Sequence, residues 1–181
     1  MRIIAGAWRG RTLLSPAGRD TRPTSDRARE GLFSMLASRL GSFEGLQVAD
    51  LFAGTGALGL EALSRGAGHC TFLERDAPAI KVLQRNLDKL DAAARAEVRA
   101  QAAERAAPPL LPCDVLMMDP PYRAGLAQQA LDRIADPLWL AQGAWVSVEL
   151  NGEDVVVPRA LSLDVERRFG KAKILLLRHE G

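Results

Sequence analysis

Apolar and polar residues alternate in blocks from about residue 45 to the end of the chain. Short apolar runs, typical of buried strands, are separated by stretches in which apolar residues recur at helical spacing. The runs are LQVADLF, CTFLE, AEVRA, DVLMMD, AWVSVEL, LDVERRF and KILLLR. Strands that alternate with helices predict a parallel sheet covered by helices.

Three helices are predicted between these strands. Their apolar stripes are Leu58, Ala62 and Leu63; Ile80, Leu83, Leu87 and Leu90; and Leu126, Ala130, Leu131 and Ile134. The second helix has a start signal, because Asp76 can cap it and Pro78 suits its first turn. The Ala/Arg-rich stretch at 91–107 is interpreted as a helix end, an edge strand and a loop.

The last two apolar runs are separated only by Gly170 and its neighbours. Because a crossover helix cannot fit there, these runs should pair as an antiparallel hairpin. The predicted fold class is therefore α/β, with a mostly parallel seven-stranded sheet and an antiparallel C-terminal strand.

Ahead of this core lies an N-terminal extension. RIIAGAWRGRTLLSP predicts a small hairpin around Gly10, and a Gly- and Pro-containing loop follows. A helix is then predicted with Leu32, Phe33, Leu36 and Leu40 on one face, ending at Gly41. We expect one domain over 1–181, with a basic extension at 1–23, a helix at 24–41 and the core at 45–181.

Composition is that of a globular protein, with 48% hydrophobic and 25% charged residues. No apolar run approaches the roughly 18 to 20 residues that span a bilayer, and the N-terminus lacks the apolar segment of a signal peptide. We therefore expect a cytoplasmic protein. Cys70 and Cys113 each begin an apolar stretch and should be buried thiols, and no metal site is predicted.

Charge is distributed unevenly along the chain. Residues 1–30 contain seven arginines and three acidic residues, a net charge of +4, whereas the remaining residues sum to −2. A basic arm on a mildly acidic body indicates contact with a polyanion such as nucleic acid. The alternative is a solvated, partly flexible tail.

A glycine-rich loop follows the first strand of the core. In VADLFAGTGALGLEAL, Gly54, Gly56 and Gly59 stand between a strand and a helix, and Glu74 lies 20 residues beyond Gly54. Glycine lets the backbone approach a ligand, and an acid at this spacing can hold ribose hydroxyls. This pattern fits a dinucleotide as well as S-adenosylmethionine.

Asp50 favours the second cofactor. A carboxylate at the end of the strand would repel a pyrophosphate, but it suits the ammonium group of a methionyl moiety. Glu74 serves either cofactor and does not discriminate between them.

The stretch DPPY predicts the reaction centre. Asp119 should stand at the C-terminal end of the fourth strand, where ligands bind in open parallel sheets. Pro121 biases Pro120 to an extended conformation and leaves the Pro120 carbonyl free to accept a hydrogen bond. Two acceptors beside the ring of Tyr122 suit a planar exocyclic amine on a flipped base, with in-line methyl transfer from a sulfonium. The alternative is a rigid turn after a strand.

These motifs, with RPTSDRARE and the N-terminal RIIAG, make the chain resemble the RsmD family over nearly its whole length. Members of that family are bacterial enzymes that methylate N2 of one guanine in small-subunit (16S) ribosomal RNA with S-adenosylmethionine. The resemblance implies a Rossmann-like class I methyltransferase fold, and implies that the enzyme acts as a monomer on 16S rRNA or the 30S subunit, without metal or membrane.

The resemblance also implies roles for individual residues. The catalytic residues would be Asp119, Pro120, Pro121 and Tyr122. The cofactor would meet Asp50, Leu51, Phe52, Gly54, Gly56, Glu74, Arg75, Ala102, Ala103 and Thr24. RNA would contact Arg2, Arg9, Arg11, Arg22, Arg27 and Arg123. The chain departs from the wider pattern at Ala102 and Ala103, where a polar or acidic side chain often meets the adenine.

Three other functions compete with this interpretation. An N6-adenine methyltransferase acting on DNA or RNA shares the motifs, although DNA enzymes of that kind usually carry a separate domain that reads sequence. An NAD-dependent oxidoreductase would use the glycine loop but leaves DPPY and the basic arm without a role. An RNA-binding protein that has lost its activity is disfavoured by the intact motifs.

Overall fold

The computed structural model of the protein describes residues 1–15, 23–122 and 125–181, and side chains in the first helix from residue 26 onward. Arg22, Arg123 and the side chain of Thr24, all predicted to lie at the functional site, fall outside these described parts. The predicted division into extension, helix and core stays a prediction.

One seven-stranded sheet forms the centre of the molecule. Its strands are β1 (Gln47–Leu51), β2 (His69–Glu74), β3 (Ala96–Ala100), β4 (Cys113–Met118), β5 (Leu140–Leu150), β6 (Leu161–Phe169) and β7 (Ala172–His179). Their order across the sheet is β3-β2-β1-β4-β5-β7-β6. Strands β1 to β5 pair in parallel, and β7 pairs antiparallel with both β5 and β6. The predicted sheet, with its antiparallel C-terminal strand, is confirmed.

Strand β7 lies inside the sheet, whereas β6 forms its edge. The sequence agrees with this order, because KILLLR has four consecutive apolar residues and six consecutive residues of β7 are buried, while most of β6 is exposed. A continuous apolar run is typical of a strand that is covered on both faces in the interior of a sheet.

Four α-helices cover the sheet: α1 (Pro23–Leu40), α2 (Ala57–Ser64), α3 (Ala77–Lys89) and α4 (Leu126–Ile134). Helix α3 begins as predicted, because the Asp76 carboxylate accepts from the Ala79 N–H at 3.1 Å and Pro78 lies in the first turn. Of its predicted stripe, Leu83, Leu87 and Leu90 are buried and Ile80 is half-buried.

The two faces of the sheet have separate cores. Residues of α1, α2 and α3 pack on one face with Phe33, Leu63, Phe72 and Leu83 at its centre. Helix α4 packs on the other face with Leu116, Leu131, Ile134 and Trp139. Each buried side chain of this size contributes about 1.5 to 3 kcal/mol. Both cysteines are buried and free, as predicted.

The N-terminal arm, residues 1–15, forms the predicted hairpin, although with a single bridge between Arg2 and Thr12. The arm is also attached to α2. The buried Glu61 carboxylate accepts from the backbone N–H groups of Ile4 and Ala5 at 2.8 and 3.0 Å. Ser64 accepts from the Trp8 N–H at 3.0 Å. Helix α2, which follows the glycine loop, therefore also holds the arm.

Helices in the described ranges are all too short or too polar to cross a membrane.

Candidate active site

A cavity of about 730 Å³ opens at the carboxyl ends of β1, β2 and β4. Ten of the residues predicted to act in catalysis or cofactor binding line it: Phe52, Gly54, Glu74, Arg75, Ala102, Ala103, Asp119, Pro120, Pro121 and Tyr122. The structure thus brings the glycine loop, the acid after β2 and the DPPY stretch to one site.

The glycines of the loop do different things. Gly54 has a φ of 56° and open space where a Cβ would stand, and it lines the cavity. Gly56 has a φ of 86° at the start of α2, where a Cβ would come within 2.3 Å of Leu83. A Cβ on Gly59 would lie 2.3 Å from the ring of Phe72. Of the three glycines only Gly54 lines the cavity, and the other two let α2 pack closely.

Phe52 marks strain at the same turn. Its φ is 66°, a left-handed conformation that non-glycine residues seldom adopt, and it lines the cavity directly after β1. Such strained residues concentrate at binding sites.

Glu74, at the end of β2, is fixed in the cavity wall by three backbone donors. One carboxylate oxygen accepts from the Gly54 N–H at 2.8 Å. The other accepts from the N–H groups of Arg75 and Asp76 at 2.8 and 2.9 Å. This bonding ties the glycine loop to the end of β2 and orients an acceptor toward the cavity, as a ribose site requires.

Asp50 lies deeper than the sequence suggests. It is buried and accepts from the Gly59 N–H at 2.8 Å. Burial raises the pKa of this carboxyl to about 7, the hydrogen bond from Gly59 opposes the rise, and the charges of Asp119 and Glu74 add to it. Among the described residues that line the cavity, Asp50 does not occur. Leu51 and Gly56 are also buried and do not line it either. Their predicted contacts with a cofactor stay predictions.

The segment after β3 contributes an acid that sequence analysis missed. Gln101 and Glu104 line the cavity together with Ala102 and Ala103. Glu104 lies 4.0 Å from the Arg75 guanidinium. The polar side chain expected near Ala102 and Ala103 is thus supplied by the residues on either side of them.

Asp119 follows the last residue of β4, and its side chain is open to the cavity. The surrounding protein disfavours its charged form by desolvation and raises its pKa to about 6. Pro120 is buried beneath it, and Tyr122 is 59% exposed at the cavity rim.

Glu149, near the end of β5, was also missed. Met118 pairs with Val148, so Asp119 and Glu149 occupy the next position on adjacent parallel strands. Glu149 is half-buried, and burial, with the charge of Asp119 as the second cause, raises its pKa to about 7. The signal was an acid ending the apolar run AWVSVEL, the same pattern by which DVLMMD indicates Asp119.

The charge of the cavity decides between the two cofactors left open by the sequence. Glu74, Asp76, Glu104 and Asp119 line it, and Arg75 is the one basic residue among the described lining. Such a site repels a pyrophosphate and suits a ligand carrying an ammonium and a sulfonium, so the donor set fits S-adenosylmethionine. No group of three or more metal-ligating residues occurs in the parts of the chain described.

The predicted RNA-binding arginines lie on the arm and α1. Arg2, Arg9, Arg11 and Arg27 are exposed, and the Arg11 guanidinium also donates to the Lys89 carbonyl. A second cavity, of about 390 Å³, is lined in part by Arg2, Arg9 and Arg29.

Arg29 was not predicted to act at this surface. It is buried and donates to the Arg2 carbonyl at 2.6 Å, and it pairs with Asp26 at 3.1 Å. Burial is the main cause that lowers its pKa. Arg29 therefore holds the arm in place through its hydrogen bond to the Arg2 carbonyl.

Comparisons with known proteins agree with this site. The family described as "Conserved hypothetical protein 95" matches residues 1–178. "Ribosomal RNA small subunit methyltransferase D" of Escherichia coli is 39% identical over 183 residues, covering 100% of this chain and 91% of that protein. The protein with the same description in Haemophilus influenzae is 38% identical over 175 residues, covering 94% and 89%.

A solved structure extends the likeness to the whole fold. "Putative methyltransferase yhhF" from Escherichia coli superposes with a TM-score of 0.86 at 38% identity, covering 99% of this chain and 98% of that one. The predicted Rossmann-like methyltransferase fold and the dependence on S-adenosylmethionine are confirmed, and the oxidoreductase alternative is excluded. The chain belongs to the family described as "Conserved hypothetical protein 95", the RsmD family that its motifs resemble.

Proposed function

We propose that the protein transfers a methyl group from S-adenosylmethionine to the exocyclic N2 amine of a guanine in 16S rRNA. The observation that carries this proposal is the DPPY stretch at an acidic cavity, where Asp119 stands beside the glycine loop and Glu74. The description of the Escherichia coli relative, a small-subunit ribosomal RNA methyltransferase, supports the substrate.

The cofactor, when bound, supplies an electrophilic methyl group on a sulfonium. Glu74 is oriented to accept from ribose hydroxyls, because its two oxygens are already aligned by the N–H groups of Gly54, Arg75 and Asp76. Gln101 and Glu104 would bind the adenine edge. Asp50 lies beneath the loop, where it contributes negative electrostatic potential but does not line the cavity.

Asp119 and the Pro120 carbonyl would accept from the two N–H groups of the guanine amine. Acceptors on both hydrogens favour a more tetrahedral nitrogen, whose lone pair then points at the methyl group. The N–C bond forms as the S–C bond breaks, and the surplus proton leaves through Asp119 or water. Tyr122, at the rim, would stack on the flipped base.

The arm would bind the phosphates of folded RNA. Arg2 and Arg9 are exposed and line the same cavity as Arg29, and Arg27 is exposed on α1. The arm is anchored on α2 by Glu61 and Ser64. We further propose that the enzyme is a cytoplasmic monomer that acts on the assembled 30S subunit.

The test is transfer of a labelled methyl group to small subunits from cells that lack this modification, followed by mapping of the modified base. Protein-free 16S rRNA and duplex DNA serve as parallel substrates. We expect N2-methylguanine at one position in the subunits. Modification of an adenine, or transfer to DNA alone, would contradict the proposal.

A further inference from the structure

Two carboxylates are neighbours at the edge of the candidate active site: Asp119 lines the cavity, and Glu149 is half-buried beside it without lining it. Because Met118 pairs with Val148 in a parallel register, Asp119 and Glu149 are neighbours one position further along β4 and β5. Adjacent strands lie about 4.8 Å apart, and aligned residues project to the same face of a sheet. The electrostatic effect of Asp119 on Glu149 agrees with this proximity.

In residues 1–15, 23–122 and 125–181, no hydrogen bond and no ion pair reaches the carboxylate of Asp119 or of Glu149. By contrast, Asp50 and Glu74 are both bonded to backbone N–H groups. Glu149 is half-buried and Asp119 is open to the cavity, so a ligand that displaces water from them must supply hydrogens to both.

The charged groups described around Asp119 and Glu149 do not supply the missing hydrogen-bond donors. From β1 and β2, Asp50 and Glu74 are acidic. From β7, Ile174 is the residue aligned with Glu149, and the ammonium of the adjacent Lys173 is paired with Asp154. The pair therefore calls for a ligand with several N–H groups along one edge.

Guanine has such an edge, because N1–H and the N2 amine are adjacent donors. Adenine has an acceptor at N1 beside its N6 amine and would place a lone pair against a carboxylate. We infer that Glu149 is the residue that selects guanine, accepting from N1–H while Asp119 holds the N2 amine. This inference rests on the proposed function and names the substrate contact that gives its base specificity.

The test uses 2-aminopurine, which keeps the amine at C2 but has an acceptor at N1. Small subunits are reconstituted with ligated 16S rRNA carrying either guanine or 2-aminopurine at the mapped position. We expect the unmodified enzyme to prefer guanine by at least about 100-fold, because a site built to bind an N–H rejects a base that lacks it.

In Glu149→Gln the amide can turn its NH₂ group toward N1, so the preference for guanine should fall at least tenfold. Glu149→Asp keeps the acceptor and should retain the preference at a lower rate. Glu166→Gln, the same substitution on the exposed edge strand β6, is the control and should leave the preference unchanged. Thermal unfolding of each variant establishes that it is folded.

A second measurement needs neither cofactor nor RNA. Carboxyl resonances of the free protein should show Glu149 titrating at lower pH in Asp119→Asn, because the neighbouring charge that raises its pKa is gone. An unchanged guanine preference in Glu149→Gln, with normal transfer by the unmodified enzyme, would overturn this inference alone. Absence of transfer by the unmodified enzyme would overturn the proposed function and the inference together.

Discussion

The side-chain amide of Asn86 joins Leu14 of the arm to Thr55 of the glycine loop. Its oxygen accepts from the Leu14 N–H at 2.7 Å. Its nitrogen donates to the Leu14 and Thr55 carbonyls at 3.2 and 3.0 Å. Asn86 is completely buried in α3, and all three bonds are partly buried. One side chain therefore fixes the proposed RNA-binding arm relative to the cofactor loop.

Replacement of this amide should loosen both segments. Asn86→Leu removes three partly buried hydrogen bonds, and the free energy of unfolding should fall by about 1 to 3 kcal/mol. Urea unfolding measures the loss, and hydrogen exchange should show faster exchange of the Leu14 amide. Gln84→Leu, on the exposed side of α3, is the control and should change neither value appreciably.

Asp119→Asn should separate binding from chemistry. The substitution keeps the shape of the side chain but places a donor against the amine of the base. We expect methyl transfer to fall by about 10²- to 10⁴-fold, while calorimetry shows nearly unchanged affinity for S-adenosylmethionine. Near-normal turnover would refute the role given to Asp119.

Activity should rise as the pH increases from about 5.5 to 8. Desolvation raises the pKa of Asp119 to about 6 and that of Glu149 to about 7, and both must be ionised to accept from the base. Log kcat/KM should therefore climb through this window and level off above it. In Glu149→Gln the climb should be shallower and centred at lower pH, and an identical profile would count against the pair.

Because of Asp119 and Glu149, stability should change with pH in the direction opposite to activity. In the folded protein their pKa values are raised, so between about pH 4 and 7 the folded state holds protons that the unfolded state has released. Their contribution to the free energy of unfolding should fall as pH rises through this window. At pH 8, Glu149→Gln should therefore be more stable than the unmodified enzyme, on the order of 1 kcal/mol after allowance for its partial exposure.

Gly6 is expected to be essential for docking the arm. It has a φ of 85°, and a Cβ there would lie 1.9 Å from the Ser64 carbonyl oxygen. Gly10 has a similar φ of 82° but nothing within 4 Å of the same position. Gly6→Ala should therefore lower RNA affinity at least tenfold and accelerate hydrogen exchange at Ile4 and Ala5. Gly10→Ala carries only the backbone strain, about 1 kcal/mol, and is the matched control.

Arginines of the arm should differ in their contribution to RNA binding. Arg9 is exposed, so Arg9→Ala should weaken binding and reduce the slope of log K against log salt by about 1. Arg11→Ala should have a smaller effect, because part of its guanidinium is already bonded to the Lys89 carbonyl. Arg159→Ala, exposed at the opposite edge of the sheet, is the control. An unchanged salt slope in Arg9→Ala would contradict the assignment of the arm.

The sequence predicted the elements and the motif residues well, because those depend on local patterns. Alternating apolar runs gave the sheet, and the caps Asp76 and Pro78 gave the start of α3. Glu149 and Asn86 escaped notice, because their importance comes from what lies opposite them. Glu149 gains its neighbour through the register of β4 and β5, and Asn86 through a contact 72 residues away in the chain.

Asp50 shows the converse limit. Its place before the glycine loop was clear from the sequence, but whether its carboxylate points into the cavity or under α2 depends on the path of the backbone through Phe52 and Gly54. The structure directs it to the Gly59 N–H. Such a choice is made by packing of the helix on the sheet, which no short motif encodes.

The arm has no core of its own. Ile3 and Leu13 are buried in the same cluster as Leu63 and Leu83, residues of the helices that flank the cofactor loop. The arm is thus not a detachable module that could be trimmed from the enzyme or exchanged for one that reads another RNA. Any redesign of the substrate must rebuild the surfaces of α2 and α3 at the same time, and a shortened enzyme would expose the apolar floor on which its arm now rests.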